Sequence, residues 1–343
     1  MDIKQTLLEF SGVAGHGIAA AEYAAALLAP FGKITHTPLG SVVCHVWEVP
    51  HNKPHFLLDA HFDTVGLIVT HIDNTGFLRV SGLGGVDPRV LPACPVVVHG
   101  RNGSVNGVIC STPPHLDKGS EKKFAKADEV YIDIGLAKEA AEKAVTPGDR
   151  VSFAASGRAL LGDRLSGAGL DNRAGCVCLL RTLELLREEE LGCGLSVLFS
   201  SLEEIGGQGA KTAAYTLRPT HALVVDTTFA HTPDSQRHKC GNLGAGPMIG
   251  VAPILSGEMT EGLISVAKAQ DIPHQHEVMG GPTGTNADHI AISRTGVRTA
   301  LLSIPLKYMH TPVEVVAAAD IEQTARLIAA FIKDFAGKAG ETA

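Results

Sequence analysis

A chain of 343 residues, 45% hydrophobic and 19% charged, has room for two domains of about 150 residues each, and its mean hydropathy of +0.14 excludes a mainly disordered polymer. The formal charge of -7 and the pI near 6.1 argue against a nucleic-acid partner, and the densest basic cluster, Lys122, Lys123 and Lys126, sits among acids. No stretch reaches the roughly 18 uncharged apolar residues of a membrane span, and the opening MDIKQTLLEFSG lacks an apolar export core, so a cytoplasmic location away from membranes is expected. The 7 cysteines form no C-x-x-C pair, which fits reduced thiols and gives neither a disulfide framework nor a thiolate zinc knuckle.

In chain order, GIAAAEYAAALLAPFG has helical spacing and stops at Pro30 and Gly32. The runs SVVCHVWEV (41–49) and FLLDAHFD (56–63) read as strands; with no helix between them they are expected to be antiparallel neighbours. From Gly66 to about Leu160, short β-branched runs alternate with turns: VGLIVTHI, Asn74-Thr75-Gly76, FLRVSGLGG, PVVVHG, Arg101-Asn102-Gly103-Ser104, SVNGVICS, EVYIDIG and GDRVSFA, with one helix near 137–145. This predicts a small β-rich, barrel-like domain over 66–161, inserted into a larger domain made of 1–65 and 162–343. Beyond it, strand and helix alternate: the helix DNRAGCVCLLRTLELLREEE, the strand LSVLFSS, the helix GGQGAKTAAYTL, the strand HALVVD, the helix EMTEGLISVAKAQ, the strands HQHEVMG and RTALLSIPL, and the closing helix IEQTARLIAAFIKDFAG. That order predicts a three-layer α/β/α fold.

Ligands in such folds bind beyond the carboxyl ends of strands, and metal-competent residues gather there: His61 and Asp63 after FLLDA, Glu203 and Glu204 after LSVLFSSL, Asp226 closing HALVVD, and His310 a short turn beyond ALLSIPL. Asp171 precedes a helix, whose first-turn amides favour an anion. Taken singly, a strand-end carboxylate is usually a cap or turn residue, and a histidine usually a packing residue. Together they make an oxygen- and nitrogen-rich donor set suited to zinc, cobalt or manganese. One carboxylate can bridge two ions, and another can serve as general base toward an activated water. The motifs argue against nucleotide binding and a serine nucleophile: GLGG at 82–85 is not a G-x-G-x-x-G loop opening a helix, and neither a Walker lysine nor a G-x-S-x-G elbow occurs. Cys176 and Cys178 read as helical core, His115 as a turn residue, and His231, His238, His274 and His276 as surface or pocket wall.

The segments DAHFDTVGLIV, GLGGVD, NGVICSTPPH, VYIDIG, PGDRVSF, GLDNRAG, SSLEEIGGQGA, VVDT, GTNAD and MHTPVEVV occur in one order across about residues 56–320. In this the chain resembles the dinuclear-metal aminopeptidases of the tetrahedral (TET) type, a family that includes glutamyl aminopeptidases, FrvX-type peptidases and members bearing an older endoglucanase label. The resemblance implies two divalent ions per subunit, zinc first, held by His61, Asp171, Glu204, Asp226 and His310. Asp171 would bridge, His61 and Asp226 would complete one site, and Glu204 and His310 the other. It makes Glu203 the general base and has Asp63 hydrogen-bond His61 to fix its tautomer. It further implies short peptide substrates, a dimerisation role for the insert and a homo-oligomer of up to twelve subunits in a tetrahedral shell. The chain departs from the family pattern at Thr64, where glutamate is usual, at Asn286 in GTNAD, where aspartate is common, and at Lys307, where arginine is common; none is an implied ligand. The rival functions are a related dinuclear hydrolase acting on acylated amino acids or carboxy-terminal bonds, and a catalytically silent scaffold. Polysaccharide cleavage lacks support, because 1 Trp and 4 Tyr offer few sugar-stacking platforms.

Overall fold

The computed structural model describes residues 1–13, 17–113, 115, 126–189 and 191–341; Lys122 and Lys123 of the basic cluster, and Pro114 of the NGVICSTPPH motif, lie outside the described residues. Two sheets organise the chain. The larger runs in the order Lys33–His36, Val42–Trp47, Gly194–Ser200, His55–His61, His221–Phe229, Arg298–Lys307, Glu314–Ala317, Arg164–Gly167 and Arg158–Ala159. Met248–Val251 branches from Arg298–Lys307 and carries Gln275–Val278 outside it. The smaller sheet closes into a barrel of Gly66–Ile72, Leu78–Leu83, Tyr131–Asp133, Gly103–Ile109, Pro95–Gly100 and Arg150–Phe153. Arg158–Ala159, inside the stretch read as the insert, pairs in the larger sheet.

The middle of the large sheet is parallel, with Gly194–Ser200, His55–His61, His221–Phe229 and Arg298–Lys307 pointing one way. Such strands are covered on both faces and read as continuous apolar runs; GLSVLFS and HFLLDAH are buried at every position. Alternate residues serve opposite layers. Phe56, Leu58 and Ala60 join the core under helices Ile3–Ser11, Ile18–Leu28, Leu170–Leu185, Gly257–Ala269 and Ala318–Glu341, whereas Leu57 joins the core under Gln208–Leu217 and Asn286–Ala291. The three-layer α/β/α fold is therefore present, and the barrel has a separate core around Leu67, Val80, Val98, Ile109 and Ile132. No helix among the described residues is long and apolar enough to cross a membrane.

One expectation about the sheet fails. Val42–Trp47 and His55–His61 are not neighbours, because Gly194–Ser200 lies between them, antiparallel to the first and parallel to the second. A strand buried along its whole length needs a partner on each side, and local chain distance carries no information about which strand returns there. The turn reading holds better. At Asn74-Thr75-Gly76 the Asp73 carboxylate accepts from Thr75 N at 2.8 Å and Thr75 Oγ1 at 2.7 Å, and Gly76 takes φ +98°. Met248–Val251, Glu314–Ala317 and Asn286–Ala291 escaped the sequence reading because each is only a turn or two of pattern.

Leu58 is fully buried on a central strand, whereas Leu161 is 98% exposed. Leu58→Ala is expected to cost about 2–5 kcal/mol of stability, and Leu161→Ala less than about 0.5 kcal/mol, read from denaturant midpoints.

Candidate metal centre

The parallel strands point their carboxyl ends to one edge, where Ser200 is in register with His61 and Asp226 with Ser303. Beyond this edge lies a cavity of about 450 Å³ lined by His61, Asp171, Glu203, Glu204, Asp226 and His310. Every implied ligand reaches it. Asp171 sits in the middle: its Oδ1 is 3.3 Å from His61 Nε2 and its Oδ2 is 3.5 Å from His310 Nε2. On one side His61 Nε2 is also 3.5 Å from Asp226 Oδ1 and 3.9 Å from Glu203 Oε2. On the other, His310 Nε2 is 3.4 Å from Glu204 Oε2. Donor atoms of His61, Asp171 and Asp226, and again of Asp171, Glu204 and His310, lie within 4.8 Å of one another.

Backbone carbonyls orient both histidines. His61 Nδ1 donates to the carbonyl of Asp63 at 2.9 Å, and His310 Nδ1 donates to the carbonyl of Gly85 at 2.9 Å. A carbonyl only accepts, so each Nδ1 carries the proton and each Nε2 is left facing Asp171. Here the structure corrects the expected role of Asp63. Its residue fixes the His61 tautomer, but through the main chain; the carboxylate stands 3.7 Å from Nδ1. It accepts instead from Glu203 N at 3.1 Å and Glu204 N at 3.4 Å, and so shapes the turn that carries both glutamates. Leu202, just before them, takes φ +61°, and His310 takes φ +63°. For residues with side chains such geometry costs of order 1–3 kcal/mol each and persists where surrounding contacts impose it.

Three supporting residues had no role in the sequence reading. Glu314 is buried and accepts from His310 N at 2.8 Å and Asp171 N at 3.2 Å, tying two opposite parts of the centre together. Burial, with Asp171 nearby, pushes it up to about 8. Gly85, from the barrel's GLGG loop, passes so close that a Cβ there would lie 2.9 Å from His310 Nδ1. Asn286, one of the departures, donates to Asp59 Oδ2 at 2.9 Å and Ser200 Oγ at 2.8 Å behind His61; burial pushes Asp59 up to about 7. Glu314 and Gly85 lay inside quoted motifs, but nothing in their spacing marks a clamp or a close approach. Cys176 and Cys178 are buried, His115 lies in an exposed turn, and His276 is exposed.

Burial and crowded charge shift the proton affinities of these groups. Burial pushes Glu203 up to about 8, with the carboxylates of Asp226 and Asp171 adding to it, and pushes Glu204 up to about 9, with Asp171 adding to it. Despite burial, His61 is raised well above its ordinary value by Glu203, Asp171 and Asp226, and His310 is raised to about 9 by Asp171 and Glu204. The two histidines in turn hold Asp171 below the usual carboxylate range, against its burial. Among the described residues, Glu204 Oε1 is buried without a hydrogen-bond partner. An unpaired buried carboxylate oxygen in a cluster of carboxylates and imidazole nitrogens fits divalent cations of the zinc, cobalt or manganese kind.

Relatives define the class. A lysyl aminopeptidase of Pyrococcus furiosus is 34% identical over 301 residues, covering 86% of this chain and 85% of its own. A solved aminopeptidase from the archaeon Desulfurococcus kamchatkensis superposes with a TM-score of 0.89 at 31% identity, covering 97% of this chain and 94% of that one. The TET1 peptidase of Pyrococcus horikoshii, described as assembling into a tetrahedron or a large octahedral shell, superposes with a TM-score of 0.84 at 30% identity over 96% of this chain and 99% of that one. The fold and these relatives are those of aminopeptidases. Residues 40–327 match the model of the M42 glutamyl aminopeptidases, and the chain belongs to that family.

Gly85→Ala is expected to displace the His310 ring and weaken zinc binding about 10- to 100-fold. Competition against a chelator measures this, and the far-ultraviolet spectrum should remain unchanged.

Proposed function

We propose that this aminopeptidase removes N-terminal residues from short peptides, using two divalent ions and Glu203 as general base. One observation carries the reading: a single carboxylate, Asp171, presents one oxygen to His61 and the other to His310. A bridging ligand requires that arrangement. His61 and Asp226 would hold one ion, and Glu204 and His310 the other, with Asp171 shared. Bound there, the ions supply Lewis-acid polarisation of the scissile carbonyl and a lowered pKa for the attacking water.

The chain's own groups do the rest. Glu203 lies at the cavity edge of the centre, and its carboxylate takes a proton from the attacking water and returns it to the leaving amine. The Asp63 carboxylate holds the amides of Glu203 and Glu204, so the base and a ligand keep their separation. Glu314 keeps Asp171 and His310 in place by their main chains.

The barrel stretch, residues 66–161, would serve as the dimerisation domain of a homo-oligomer. For assembly itself, support comes from the Pyrococcus horikoshii relative, described as forming a tetrahedron or a large octahedral shell. The proposed setting for this work on peptides is the cytoplasm, where the free thiols of the described cysteines would stay reduced.

Glu203→Gln should retain stoichiometric metal and lose about 10²- to 10⁴-fold in kcat on aminoacyl-p-nitroanilides. Near-full turnover of a metal-loaded variant removes Glu203 from the role. In the wild type, chelation should abolish cleavage and re-added zinc, cobalt or manganese restore it, for free-amine substrates only. Cleavage of blocked substrates alone points to an acyl-amino-acid hydrolase, and metal-free silence to a scaffold.

A further inference from the structure

Besides Glu203, the same cavity holds one carboxylate that belongs to neither metal cluster. Glu277 lies on Gln275–Val278, the strand added outside Met248–Val251, and lines the cavity together with Thr228 and Ser303. Its Oε2 accepts from Ser303 Oγ at 2.6 Å, and its Oε1 accepts from the Thr228 hydroxyl. Thr228 follows Asp226 by two positions on one strand, so it shares that face and stands roughly 7 Å farther along. Glu277 is thus set beside the metal centre and apart from it.

Charge and shape say what it faces. In the two-ion reading, Asp171, Glu203, Glu204 and Asp226 match the charge of two divalent cations, and Glu277 is the carboxylate left over. No lysine or arginine lines this cavity among the described residues. Two hydroxyls fix the carboxylate but supply no charge, and an ionised carboxylate has about four lone-pair sites, so acceptor capacity remains. Leu301, Met309 and Phe229 give the cavity apolar wall. Apolar wall with a carboxylate at one end suits a side chain that has an aliphatic stem and a cationic head.

We propose that Glu277 selects peptides whose N-terminal residue is lysine or arginine. The selection rests on the aminopeptidase reading of the same cavity. It runs opposite to an acidic preference, which would need a cation where Glu277 stands. Glu277 acts on the substrate side chain and takes no part in proton transfer.

The test is a kcat/KM comparison on the metal-loaded enzyme, using p-nitroanilides of lysine, arginine, norleucine, leucine and glutamate. Norleucine matches the lysine stem without its charge. Lysine and arginine should exceed norleucine by at least about tenfold. Glu277→Gln should remove that advantage while norleucine stays within about threefold, and Glu277→Asp should restore part of it. Calorimetric titration of the wild-type enzyme with free amino acids should likewise show lysine binding more tightly than norleucine. A wild type that prefers norleucine or glutamate overturns the assignment and leaves the aminopeptidase standing. An equal loss on all substrates in Glu277→Gln also overturns it, since that pattern marks a structural role or a grip on the α-amine. Failure to cleave any free-amine anilide overturns both readings.

Discussion

Everything around the cavity serves one electrostatic constraint: Asp171, Glu203, Glu204 and Asp226 must stay close together, out of bulk water, against their mutual repulsion. Like charges at these separations repel strongly in a medium of low dielectric. The parallel strands bring the groups to one edge because their carboxyl ends share it, and the turns beyond them aim each side chain inward. Left-handed residues at Leu202 and His310 mark where the chain bends against its preference to do so. The stability for this comes from the fully buried strands and the helices on both faces, which the centre itself does not supply.

The second pattern is division of labour between side chain and main chain. Side chains present donor atoms to the cavity, while carbonyls and amides hold those side chains in position. Asp63 combines both modes, giving its carbonyl to His61 and its carboxylate to two amides. Glu314 does the reverse of a ligand: it is an acid at the centre that meets only backbone. This explains why a site of few residues needs contributions from so many segments.

The same division explains what the sequence could reveal. Donor residues carry chemistry in their identity, so His61, Asp171, Glu203, Glu204, Asp226 and His310 could be picked out from their places at strand ends and from motif order, and the structure brings them into one cavity. The alternation of strands and helices, with its turn-rich interruption, likewise foretold the layered fold and the barrel. What stayed hidden were relations that any residue with a main chain can make. Gly85 contributes a carbonyl, the Asp63–His61 bond uses a carbonyl where a carboxylate was expected, and the place of Gly194–Ser200 between two earlier strands depends on a return from far along the chain. Glu277 was passed over because its strand is short and its partners, Thr228 and Ser303, come from two others.

The bond from His310 to Gly85 joins a histidine of the large sheet to a loop of the barrel. Its consequence is thermodynamic linkage between two cores that are otherwise separate. Whatever loads His310 draws on that bond and lends free energy to the barrel's native geometry. Whatever steadies the barrel returns the same free energy to the imidazole. The barrel is therefore a partner in the energetics of the centre as well as an appendage of the fold, and the two cannot be tuned independently.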